Sequence, residues 1–72
     1  MKIEGKVGNW LRAVRLEKKM TQETLAKCAG IERTFISHIE KGKRNISLDT
    51  LEKILGGLEI SMKSFFSTEK FE

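Results

Sequence analysis

Wound as a helix at about 100° per residue, the segment from Arg33 to Lys41 gathers Arg33, Thr34, Ser37, His38 and Lys41 on one side. The set offers guanidinium, hydroxyl, imidazole and ammonium groups and no carboxylate. Such a face suits a nucleic acid. Arginine bonds guanine O6 and N7 in bidentate fashion, while threonine and serine reach bases or backbone. A merely solvated helix mixes Glu or Asp into the same arc. Phe35, Ile36 and Ile39 fall on the other side and face a core. Other chemistries lack their parts. Cys28 and His38 are the only soft ligands, so no metal site is expected. With no glycine-rich phosphate loop and no convergent Ser, His and carboxylate set, neither an enzyme nor a cofactor is expected. Cys28, beside Ala29, reads as a small buried or half-buried residue.

A polar face needs elements to hold it. Val7, Trp10, Leu11 and Val14 make a first amphipathic helix ending near Lys19. Thr21 can cap a second, running from about Gln22 to Ala29, and Gly30 permits the sharp turn that follows. The third runs from Glu32 or Arg33 to Lys41 and Gly42. Ser47 opens a fourth with Leu48, Leu51, Ile54, Leu55 and Leu58 on one side, and Ser61 a short fifth with Met62, Phe65 and Phe66. No segment alternates β-branched and polar residues long enough for a strand. The expectation is an all-α fold in which residues 1–72 form one compact five-helix domain. Helices two and three, residues 21–41, have the lengths of a helix-turn-helix. Ser67 to Glu72 is expected to fray.

Composition agrees. Residues 1–45 hold 11 Lys+Arg against 5 Asp+Glu, a net +6, and residues 46–72 hold 3 against 5, a net −2. The basic part is expected to face a polyanion. A chain this short buries only about 60% of its unfolded surface and has no disulfide or metal to help, so helix packing or self-association must stabilise it. Without an apolar stretch of signal-peptide or membrane-spanning length, a cytoplasmic location is expected, away from membranes.

MTQETLAKCAGIERTFISHIEKGKRNISLDTLEKILGGLEIS, residues 20 to 61, resembles the helix-turn-helix domains of the Cro and phage-repressor type. Within that group, Arg33-Thr34-Phe35-Ile36-Ser37, Arg44-Asn45, Leu58-Glu59-Ile60-Ser61 and Phe65-Phe66 look most like the controller proteins of restriction–modification systems. The resemblance implies a sequence-specific, homodimeric transcriptional regulator that activates and then represses its own promoter from a palindromic double-stranded DNA operator, with RNA polymerase as a further partner. It assigns base contacts to Arg33, Thr34 and Ser37 and phosphate contacts to Gln22, Lys43, Arg44 and Asn45; His38 departs from the relatives, which carry a small residue or an amide there, and is read either as a further DNA contact or as solvated surface. Arg15 and Glu40 match a structural ion pair joining helix one to the end of helix three. Phe35 stands where controllers often carry tyrosine, so packing is expected there.

A single recognition helix reads only a few base pairs, which favours two copies. Residues 48–66 are acidic and richer in apolar side chains than one small core needs. A dimer interface is therefore expected at Leu55, Leu58, Ile60, Met62, Phe65 and Phe66, some of which also close the protomer core. Gly56 and Gly57, inside helix four, are read as permitting close approach of another helix across a dimer interface, or else as a simple local weakness of that helix. The competing expectation is an antitoxin-like or other protein-interaction module that keeps the same fold.

Overall fold

The computed structural model describes residues 3 to 67, leaving aside the side chains of Glu4 and Phe66. Five helices follow one another: α1 (Ile3–Glu17), α2 (Gln22–Ala29), α3 (Arg33–Glu40), α4 (Leu48–Gly57) and α5 (Met62–Phe66). The described residues include no strand. Of the segment expected to fray, Ser67 is placed, its amide donating to the Lys63 carbonyl at 3.1 Å, and residues 68–72 lie outside the described residues.

Three helix starts share one device. Thr21, Ser47 and Ser61 have extended backbones, and their hydroxyl oxygens accept from the amides of Thr24, Thr50 and Ser64 at 3.0, 3.1 and 3.1 Å. Each cap also donates its own hydroxyl proton to the hydroxyl three residues on, at 2.9 to 3.0 Å. The caps thus satisfy donors that the first turn leaves unpaired. The third helix differs, because Glu32 precedes α3 without a side-chain cap.

The ends of the first four helices are also alike. Lys19, Gly30, Gly42 and Glu59 take left-handed backbones, with φ of 57°, 72°, 70° and 59°. The next amide in each case donates five residues back: Met20 to Arg15, Ile31 to Ala26, Lys43 to His38 and Ile60 to Leu55, at 2.9 to 3.1 Å. This closure reverses the chain within two residues and satisfies terminal carbonyls. Two of the four positions lack glycine. α1 accordingly stops at Glu17, two residues before the end read from periodicity.

The core draws on every helix. Leu11 of α1, Leu25 of α2, Ile36 and Ile39 of α3, Leu51, Ile54 and Leu55 of α4, Leu58 and Phe65 are all buried. Trp10 and Phe65 meet edge to face with ring centroids 4.5 Å apart, tying α1 to α5. α2 lies against α3 and α4, and α1 against α3. Two glycines set the closest approaches. A Cβ on Gly8 would collide with the carbonyl oxygen of Ile39, so α1 rests directly on the end of α3. A Cβ on Gly57 would stand 3.1 Å from the Ala29 nitrogen, where α4 passes the end of α2, whereas Gly56 faces open space. The tight approach at Gly57 is therefore made inside the protomer.

Three expectations need correction. Leu55, Leu58 and Phe65 are each 1% exposed, so they fill the protomer's own core and offer no surface to a second chain. The reason is size: a domain this small closes its core only by spending apolar residues from α4 and α5 on itself. Of the expected dimer set, Ile60 and Met62 are half-buried, and the Phe66 side chain lies outside the described residues. Leu48 is 70% exposed despite its apolar spacing, because the first turn of α4 projects past the core that Leu51 enters. Cys28 is exposed as well. Leu25, Ala26 and Ala29 centre the buried arc of α2 about 100° away from it.

Candidate nucleic-acid interface

The turn between α2 and α3 is made by Gly30, whose left-handed backbone lets the Ile31 amide reach Ala26 and lets Ile31 pack against the core. That places α3 with Ile36 and Ile39 inward, at 2% exposure each. Arg33, Thr34 and Lys41 are exposed on the outer side, and Ser37 and His38 are half-buried at its margins. Lys43, Arg44 and Asn45, beyond the end of α3, are all exposed. The helix therefore presents cations and hydroxyls outward.

Its one carboxylate is turned the other way. Glu40 is buried, and its Oε2 and Oε1 accept from Arg15 Nε at 2.7 Å and Arg15 Nη2 at 3.0 Å. Arg15 Nη1 donates to the Met20 carbonyl at 2.7 Å, so the guanidinium joins α1, the α1–α2 turn and the end of α3. Hydrogen bonding to Glu40 raises the Arg15 pKa above its ordinary value, outweighing the lowering effect of burial, and the Glu40 charge adds to the rise. The pair removes a negative charge from the outer face of α3 while holding the helix in place.

Two contacts were not legible beforehand. Gln22 Nε2 donates to Glu40 Oε1 at 3.2 Å, connecting the start of α2 to the ion pair. The Arg44 guanidinium sits over the Phe35 ring, 4.8 Å from its centroid. Phe35 is half-buried against the core, so it both packs and carries a cation. Gln22 and Glu40 lie on different helices, and Arg44 lies past the end of the helix that carries Phe35, so only the folded turns bring each pair together. Among the described residues no three His, Cys, Asp or Glu side chains converge as a metal site, and no helix is long and apolar enough to cross a membrane.

The comparisons with known proteins point the same way. The helix-turn-helix family model matches residues 11–65. The control protein C.MunI of a Mycoplasma species is 46% identical over 66 residues, spanning 90% of this chain and 89% of its own length. This chain belongs to the helix-turn-helix controller proteins. A second controller, C.BamHI of Bacillus amyloliquefaciens, is 47% identical over 57 residues, 78% of this chain and 70% of its own. The solved structure of the restriction–modification controller C.Esp1396I, a tetramer in complex with its natural 35-base-pair operator, is 44% identical with a TM-score of 0.87 over 92% of this chain and 87% of that one. In this controller-family chain, the outward residues of α3 and the exposed Lys43-Arg44-Asn45 segment that follows it, with Arg44 lying over Phe35, make up the candidate surface.

Proposed function

We propose that this protein is a sequence-specific DNA-binding regulator of transcription that acts as a homodimer in the cytoplasm, controlling its own promoter within a restriction–modification system. The observation that carries the proposal is the outer face of α3. Arg33 and Thr34 are exposed and Ser37 is half-exposed, while the helix's single carboxylate is buried against Arg15. In this reading α3 enters the major groove. Arg33 reads a guanine, Thr34 and Ser37 contact neighbouring bases, and His38 lies at the groove edge. Lys43, Arg44 and Asn45 grip the backbone past one end of the helix, and Gln22 meets a phosphate at the start of α2, where helix N–H groups attract anions.

Two copies read a palindromic operator with half-sites about 34 Å apart. Their contact lies on the α4–α5 side, the acidic part of the chain, through residues such as Ile60 and Met62 that the protomer leaves half-exposed. RNA polymerase is the further partner through which activation would act, followed by repression of the same promoter. The regulator's own chemistry in this reading is recognition, with no catalytic step. The match to controllers along nearly the whole chain favours this reading over an antitoxin-like interaction module.

Operator titration of Arg33→Ala tests the assignment. The variant keeps its helicity and loses about 1–3 kcal/mol of specific binding. Unchanged affinity would remove Arg33 from the reading site.

A further inference from the structure

The ion pair between Arg15 and Glu40 has a third partner that its structural task does not require. The two Arg15 bonds already make a bidentate contact, at 2.7 and 3.0 Å, yet Glu40 Oε1 also accepts from Gln22 Nε2 at 3.2 Å. An ionised carboxylate only accepts, so this bond turns the amide nitrogen of Gln22 inward and uses one of its two N–H groups. The other remains for a second acceptor. Gln22 is half-buried and opens α2, where the Thr21 hydroxyl accepts from Thr24 and the first carbonyl-bonded amide is that of Leu25. The amides of Gln22 and Glu23 precede both, so backbone donors and the held side chain occur at one place.

We propose that Glu40 is a positioning residue for DNA backbone contact. It holds the Gln22 side chain in the orientation in which its remaining N–H joins the α2 N-terminal amides on a single phosphate. This rests on the reading that Gln22 meets a phosphate. The bond that closes α1 on α3 then also presets the phosphate contact, and the rotamer freedom of a glutamine is spent in folding instead of in binding. Arg15 neutralises Glu40, which lets a carboxylate stand behind an anion-binding side chain.

The test has two arms. Gln22 is the only glutamine in the chain, so its side-chain amide gives one unambiguous NMR signal pair in the free wild-type protein. The proposal expects an order parameter near the roughly 0.85 of rigid backbone, against values below about 0.6 for the exposed Asn45 side chain. A Gln22 amide as mobile as that of Asn45 overturns it. The second arm measures affinity for a duplex carrying the site selected by the wild-type protein. Gln22→Ala is compared in the wild-type background and in Arg15→Met with Glu40→Leu, a replacement of a buried pair by apolar side chains of the kind that often preserves a fold. The expected loss is about tenfold in the first background and under about twofold in the second. Equal losses in both refute the positioning role. An ordered Gln22 amide combined with no loss in the wild-type background overturns the proposal through the phosphate reading alone, which separates the two failures.

Discussion

The guanidinium of Arg44 lies over the ring of Phe35, 4.8 Å from its centroid, so a side chain of α3 holds a cation of the loop that follows it. At a partly exposed site such a contact is worth about 0.5–1 kcal/mol. Replacing Phe35 with leucine retains apolar packing and removes the π face. Phe35→Leu is expected to weaken operator binding about two- to fivefold through release of Arg44, and to change it little in an Arg44→Ala background. A double-mutant cycle in which the two effects simply add would assign the contact no part in binding.

The adjacent glycines of α4 are expected to behave oppositely. Gly56 faces open space within a helix, so Gly56→Ala stabilises by about 0.5–1 kcal/mol. At about 4–8 °C per kcal/mol for a domain of this size, the midpoint rises by several degrees. At Gly57 a Cβ meets the Ala29 backbone nitrogen at 3.1 Å and its Cβ at 3.3 Å, and α2 has to shift to admit it. Thermal melts of the two variants should therefore diverge, with Gly57→Ala gaining nothing.

Gly8 sits at the closest approach of α1 to α3. An added methyl would overlap the Ile39 carbonyl oxygen and stand 3.1 Å from that of Glu40, in the same stretch that holds the Arg15–Glu40 bond. Gly8→Ala is expected to cost about 1–3 kcal/mol in urea unfolding, the usual range for overpacking. Stability equal to the wild type would mean that α1 can slide without penalty.

Glu59 occupies a left-handed position, φ 59°, that closes α4. Non-glycine residues pay roughly 1–2 kcal/mol there, partly returned because glycine is freer when unfolded. Glu59→Gly is expected to add about 0.5–1 kcal/mol to equilibrium stability, while Gly30→Ala, at φ 72°, should subtract about 1 kcal/mol. A destabilised Glu59→Gly would show that the Glu59 side chain contributes more than its backbone costs.

The helices were legible wherever a local signal marked them. Thr21, Ser47 and Ser61 announced three helix starts because a cap hydroxyl needs only the amide three residues away. The stop at Glu17 was invisible, since no glycine marks the left-handed turn at Lys19, and periodicity places the end two residues too far along. The outward arc of α3 could be read from its periodicity, because Ile36 and Ile39 fix which side is buried. The sequence misjudged burial where the whole core decides it. Leu48 keeps the spacing of Leu51 yet lies beyond the core, and Leu55, Leu58 and Phe65 looked surplus until Trp10 and the other helices were counted against them. Gln22 with Glu40, and Phe35 with Arg44, became neighbours only through the tertiary turns.

Selection from random duplex DNA tests the central claim most directly. The wild-type protein is expected to enrich a two-fold symmetric site with half-sites about one helical turn apart, and binding to that site should weaken steeply with salt as phosphate counterions are released. Arg33→Ala should lose the preference at one base position in each half-site while staying folded. Failure of the folded wild-type protein to enrich any sequence at moderate salt would contradict the account.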